Sequence, residues 1–131
     1  MTKITKEQIE AAKKKTKYSL HDPLHEHDDC IRIAYEWLDA QHKLKTKCRH
    51  PFPLKHLIEK WAGRYVSTSD VEVAATIHQH VKGEYPNYNI SNRLIEPSTS
   101  RLDHIGEANK QDYRDYHCPA GHPNSRYKSE E

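Results

Sequence analysis

The chain has 131 residues, of which 34% are hydrophobic and 31% charged, and its formal net charge is +2 at pH 7 with histidine neutral. This length fits one domain with a small core, and so weak a charge does not by itself indicate a nucleic-acid partner. No apolar stretch reaches the ~18–20 residues of a membrane span, and the first residues lack the apolar core of a signal peptide. Three cysteines without a CxxC pair indicate reduced thiols. We therefore expect a cytoplasmic protein with no membrane partner.

Residues 1–20 contain KEQIEAAKKKTK, a helix-forming segment with few apolar anchors. We expect a frayed helix or arm over residues 1–20, one domain over 21–128 and a tail over 129–131. The lysine run at 13–15 fits a solvated face, with a phosphate-touching arm as the alternative.

The first strong helix is predicted after Asp22 and Pro23, which suit the N-cap and the first helical position. Apolar residues then recur with helical spacing, and this stripe is wide enough to leave a homodimer through the helix open. The stripe consists of Cys30, Ile31, Ala34, Tyr35, Trp37 and Leu38.

Two further helices follow a proline-containing break. LKHLIEKWAG has the i, i+3, i+4, i+7 pattern of a helix, and Gly63 is its predicted C-cap. RYV at 64–66 predicts one short strand. In STSDVEVAATIHQHV, Ser67 or Ser69 followed three residues later by an acid predicts a capped helix.

The C-terminal third is polar. KGEYPNYN predicts a turn-rich loop, and ISNRLIE and STSRLDHIGEA predict short helical pieces that meet at Pro97. A polar hairpin-like segment that ends at Tyr127 follows.

Three features, in residues 54–128, resemble the winged helix-turn-helix DNA-binding proteins of phages and mobile elements. They are the run LKHLIEKWAGRYVSTSDVEVAATI, the run ISNRL…STSRLDHIGE and the late Gly121-to-Tyr127 spacing. The resemblance implies a mainly α domain with a small β-hairpin wing and an extra N-terminal helix. It also implies a double-stranded DNA partner and a role as a transcriptional regulator or accessory factor of a phage or mobile element.

The residue types in the two helix starts and the wing suit DNA. Asparagine pairs with adenine, arginine with guanine, and serine with several groups, while helix N-termini suit phosphate oxygens. The other interpretation is that these residues are caps and solvated faces. The predicted DNA contacts are Asn89, Ser91, Asn92, Arg93, Ser98, Ser100, Arg101, Arg114, His122, Arg126 and Lys128.

A zinc site is a weaker hypothesis, with unpaired surface residues as the alternative. Cys118 and His122 have the CxxxH spacing of half a site, and Cys48 and His50 could supply the other half. The spacing is not that of a standard finger, so no cofactor is expected.

A histidine–aspartate cluster raises the idea of a metal hydrolase. Its members are His21, Asp22, His25, His27, Asp28 and Asp29. The alternative is a helix start with acids placed near the dipole. No Gly-x-Ser-x-Gly motif and no glycine-rich phosphate loop occurs, so we do not expect an enzyme.

A protein-binding role is the second functional hypothesis. Eight tyrosines and two tryptophans suit an interface. The protein would then be an inhibitor or adaptor, for example a phage protein that acts on a host or defence protein through a winged-helix-like body.

Overall fold

The computed structural model describes residues 4–18, 23, 25, 27–46, 54–85, 87–91 and 93–108, and the backbone of 128–129. The described part is mainly helical and contains a small antiparallel hairpin, which confirms the expected fold class at this level. Its helices are α1 (Lys6–Lys15), α2 (Asp28–Ala40), α3 (Leu54–Ala62) and α4 (Thr68–Ile77). Its strands are β1 (Gly83–Glu84), β2 (Asn87–Tyr88), β3 (Ile95–Glu96) and β4 (Lys128–Ser129), and a 3₁₀ turn spans Thr99–Leu102.

Helix α4 is the centre of the molecule. Every residue from Ser69 to Ala75 is buried, and α4 packs against both α1 and α2. The predicted capping box at its start is confirmed. The Ser67 hydroxyl accepts a 3.1 Å bond from the Asp70 amide, and the Asp70 carboxylate accepts a 3.3 Å bond from the Ser67 amide.

The apolar stripe of α2 is confirmed, and it is covered by the chain itself. Trp37 is fully buried in the same core as α3 and α4. The helix begins later than predicted, because His27 is its N-cap and accepts a 2.9 Å bond from the Asp29 amide. Asp22, the predicted cap, lies outside the described residues.

Helix α1 is packed rather than frayed. Thr5 and Gln8 form a capping box at its start, and Ile9 is fully buried. Arg32 of α2 also donates a 2.9 Å bond to the Ile4 carbonyl. One cap and three buried apolar side chains, those of Ile4, Ile9 and Ala12, therefore attach this lysine-rich segment to the core.

Several local predictions after α3 are wrong. Residues 64–66 form no strand, and the predicted turn-rich loop at 82–89 has its turn inside a short hairpin of β1 and β2. The described residues between 90 and 96 form no helix, because Ile90 makes an antiparallel bridge with Lys43 and the Ile95 backbone bonds to the Gln41 side chain. The second helical piece is only the 3₁₀ turn. The predicted wing, residues 109–126, lies outside the described residues.

Two glycines occupy positions that require positive φ. Gly63 follows α3 with φ 65°, and its amide donates a 2.8 Å bond to the Glu59 carbonyl, which confirms the predicted C-cap. Gly83 opens the hairpin with φ 114°, and a Cβ there would lie 2.5 Å from the Asn87 carbonyl oxygen. Only glycine fits the second position without backbone movement.

Within the described residues, no helix has both the length and the apolar character needed to cross a membrane.

Replacing the cap of α4 should destabilise the whole fold, because this helix is central. We expect Ser67→Ala to lower the free energy of unfolding by about 1 kcal/mol, measured by urea denaturation. Ser100→Ala, which changes an exposed serine, is the matched control and should change stability by less than half as much. Equal effects of the two substitutions would contradict the central role of the α4 cap.

Candidate nucleic-acid interface

An open groove of about 530 Å³ lies where the segments that follow α2 and α4 meet the base of the hairpin. We call it the basic groove. It is lined by Asp39, Lys43, Leu44, Lys45, His78, His80, Lys82 and Asn89.

Asn89 holds the three segments of the basic groove together. Its Oδ1 accepts a 2.7 Å bond from the Lys82 amide, and its Nδ2 donates to the carbonyls of Leu44 and His80 at 2.9 and 3.0 Å. Asn89 is buried, with 5% of its surface exposed. Its amide is thus committed to the backbone, and a base contact by Asn89 would require these bonds to break.

Lys43 closes the end of α2. Its Nζ donates to the carbonyls of Leu38, Asp39 and Gln41 at 2.7 to 2.8 Å. Cations at a helix C-terminus are stabilised by the helix dipole. Burial lowers the pKa of Lys43, although the nearby Asp39 carboxylate opposes this. The Lys43 ammonium group is therefore bonded to the end of α2 and is less available to a ligand than an exposed lysine.

Asp39 is the carboxylate that lines the groove, and it is hydrogen-bonded to two partners. Arg101 Nη1 lies 3.0 Å from its Oδ2, and His78 Nε2 lies 2.8 Å from its Oδ1. Burial alone would raise the pKa of Asp39, but the hydrogen bonds from His78 and Arg101 outweigh it and lower the pKa. The carboxylate therefore stays ionised and paired.

His78 is held as one neutral tautomer. Its Nδ1 accepts a 3.1 Å bond from the His80 amide, so the ring proton sits on Nε2 and points at Asp39. Burial lowers the pKa of His78, and the hydrogen bond to Asp39 only partly restores it. The ring therefore acts near neutral pH as a hydrogen-bond donor rather than as a cation.

Three exposed basic side chains remain on the rim: Lys45, His80 and Lys82. None of them makes an ion pair with any residue within the described ranges. Since Asp39 is already paired, the rim is net positive. An open, positively rimmed groove of this kind suits phosphate oxygens.

The sequence-predicted DNA contacts that the structure describes include residues with bonds inside the fold. Arg93 is exposed, and its amide donates to the Ser91 hydroxyl at 3.1 Å. Ser98 caps the 3₁₀ turn by accepting a bond from the Ser100 amide. Arg101 is paired with Glu36 at 2.9 Å and with Asp39.

The remaining predicted contacts cannot be placed in the structure. Asn92, Arg114, His122 and Arg126 lie outside the described residues, as does the side chain of Lys128.

The hypothesised metal sites have no support among the described residues. Cys48, His50, Cys118 and His122 all lie outside them, as do His21 and Asp22. His25 instead joins Tyr18 to Asp70, with its ring nitrogens 3.0 Å from the Tyr18 hydroxyl and 2.7 Å from Asp70 Oδ1. Within the described ranges, no group of three or more histidine, cysteine or acidic residues is arranged to hold a metal ion.

The sequence analysis did not select the groove lysines as DNA contacts, because they lie in segments between predicted helices. KLKTK begins just after α2 and IHQHVK straddles the end of α4. The available signal was that basic side chains cluster directly after two predicted helix ends. Nothing in the sequence indicated that Asn89 would bring these two ends together.

Comparison with known proteins gives no further guide to the site. No protein-family model, curated protein or solved structure matches this chain.

Changing one atom of Asn89 should open the groove. Asn89→Asp replaces an amide that donates to two carbonyls by a buried carboxylate that repels them. We expect the free energy of unfolding to fall by more than about 2 kcal/mol, measured by urea denaturation at pH 7. Asn87→Asp, on the hairpin two residues earlier, is the matched control and should have a small effect. Similar losses at 87 and 89 would contradict the bonding described here.

The pairing of Asp39 should appear in the pH dependence of stability. Its folded pKa lies below the ordinary 3.8, so its contribution is present above about pH 4 and is lost as the pH falls through the folded pKa. We expect Asp39→Asn to be less stable than the wild type at pH 7, and the difference between the two to shrink as the pH falls below about 4. Urea denaturation at each pH measures this, and a difference that does not change with pH would contradict it.

Proposed function

We propose that the protein binds double-stranded DNA through the basic groove. The observation that carries this proposal is the excess of basic side chains on the rim that have no ion-pair partner in the described part of the chain, beside a carboxylate that is bonded to Arg101 and His78. Such side chains release counterions from the duplex when they contact phosphates, and this supplies affinity independent of sequence. A regulator or accessory factor of a phage or mobile element is the role that the winged-helix resemblance suggests for such a protein.

In the proposed binding mode, the protein contacts the phosphate backbone of the DNA and does not insert a helix into the major groove. α4 is buried from Ser69 to Ala75, so it offers no continuous exposed face to base edges. The 3₁₀ turn is a single turn, and its Arg101 is paired with two carboxylates. The predicted wing at 109–126 stays a prediction, and it is where base recognition would have to come from.

Arg93 is the sequence-predicted residue that best fits an extended rim. It is exposed, and Ser91, two residues before it, donates its amide to the His42 carbonyl at 2.9 Å. His42 is itself exposed and belongs to the segment that leads into Lys43. Arg93 therefore extends from a segment that is bonded to the lysine-bearing loop.

The protein-binding alternative has less support. The tryptophans that motivated it are core residues, since Trp37 is fully buried and Trp61 is 6% exposed and donates to the Pro97 carbonyl at 2.9 Å. Leu44, at 41% exposure, is the large exposed apolar side chain of the described residues. A single exposed leucine is ordinary on a protein surface.

Removing the two rim lysines should weaken DNA binding and its salt dependence together. For Lys45→Gln with Lys82→Gln we expect lower affinity for a random-sequence duplex. The slope of log K against log salt should also be less steep by about two, one for each phosphate contact. Fluorescence anisotropy between about 50 and 200 mM salt, a range over which phosphate contacts weaken strongly, measures both quantities.

The matched control is Lys6→Gln with Lys14→Gln, which removes the same charge from exposed positions on α1. If the control lowers the slope equally, binding depends on net charge and not on the groove. If the wild type does not bind at either salt concentration, the proposed function is wrong. Arg93→Gln then tests separately whether the rim extends to the sequence-predicted segment.

A further inference from the structure

A second cavity is lined by other residues of the same hairpin. Its volume is about 350 Å³, and the end of α1, the last turns of α4 and the hairpin form its walls. This volume is at the lower end of the ~300–1,000 Å³ of small-molecule sites. A ligand of amino-acid size fits such a space, whereas a nucleic acid does not.

The floor of this cavity combines a carboxylate with aromatic rings. Glu72 is 5% exposed and Tyr88 is 4% exposed. The rings of Tyr85 and Tyr88 meet edge to face at 6.3 Å. A carboxylate beside aromatic rings attracts an organic ammonium group through charge and through the ring quadrupole.

The tyrosine hydroxyls on the floor stay protonated. Burial raises the pKa of Tyr88, and the charge of Glu72 raises it further. Burial likewise raises the pKa of Tyr85. The neutral Tyr88 hydroxyl can therefore donate or accept a hydrogen bond, whereas the Tyr85 hydroxyl is already bonded to Thr68 and to the backbone of Lys55.

The mouth of the cavity carries two lysines and one carboxylate, that of exposed Glu84, so its net charge is positive. Lys15 and Lys17 line it, both are exposed, and neither makes an ion pair with another residue of the described ranges. They would repel a simple amine and attract an acid group. The two ends of the cavity thus favour opposite charges on one molecule.

We propose that this cavity binds a small zwitterion, with its amino group against Glu72 and its acid group against Lys15 and Lys17. The chemical class is that of amino acids whose amino and acid groups lie at opposite ends. This site is separate from the basic groove and does not depend on DNA binding.

The test compares three probes of one length: 4-aminobutyrate, butylamine and butyrate. We expect 4-aminobutyrate to bind at least roughly tenfold more tightly than either single-charge probe, since each lacks one charged contact. Calorimetric titration at constant ionic strength measures this. Glycine, β-alanine and 6-aminohexanoate extend the series to other charge separations. If no zwitterion in the series binds, or if butylamine binds as tightly as the best one, the proposal is overturned.

Two variants test which residues contact the amino group of the ligand and which contact its acid group. Glu72→Gln keeps the side-chain volume and should reduce zwitterion affinity to that of butyrate. Lys15→Gln with Lys17→Gln should reduce it to that of butylamine, and the lysines are exposed, so this variant remains informative if Glu72→Gln fails to fold. Lys6→Gln with Lys14→Gln is the matched control and should bind normally. Amide shifts from the best probe should cluster at Gly83 to Tyr88, and shifts confined elsewhere would overturn the assignment.

Discussion

The basic groove depends on the three hydrogen bonds of one buried side chain, Asn89. Each joins the amide to the backbone of a different place in the chain: the segment after α2, the segment after α4 and the base of the hairpin. Backbone groups in irregular segments need partners when they are buried. Asn89 supplies them where no helix or strand could, and the lysines that flank those groups are thereby brought to one rim.

The net charge of the rim depends on the partners of two nearby acidic residues, Asp39 and Glu36. Asp39 and Glu36 both contact Arg101, and Asp39 is also bonded to His78. Burial raises the pKa of Glu36, although its bond to Arg101 opposes this, whereas the pKa of Asp39 is lowered. The same arginine that the sequence suggested for DNA therefore serves inside the protein. It leaves the surface lysines as the excess charge.

The helices were predictable because their signals are local. The spacing in LKHLIEKWAG, the capping box at Ser67 and Gly63 after α3 each act within a few residues, and the structure contains all three. Residues 90–96 were not predictable, because Gln41 bonds both the amide and the carbonyl of Ile95 from 54 residues away. The groove escaped prediction for the same reason: its lysines become neighbours through long-range bonds, such as those of Asn89 and the bridge between Lys43 and Ile90. Serine, asparagine and arginine are typical both of DNA contacts and of caps, and Ser98 and Arg101 have structural partners here.

The hairpin of β1 and β2 is a wall shared by two concave sites. Lys82 and Asn89, at its base, line the basic groove, whereas Gly83, Tyr85 and Tyr88 line the second cavity, where we propose that a zwitterion binds. Gly83, at the start of the hairpin, has a positive φ that residues with a side chain rarely adopt. Two occupants that press on one wall are thermodynamically linked: if the first favours one hairpin position, it changes the affinity of the second, and the second changes that of the first by the same factor. A rigid hairpin would make the two sites independent. The stiffness of the hairpin therefore determines whether the molecule has two separate sites or one coupled pair.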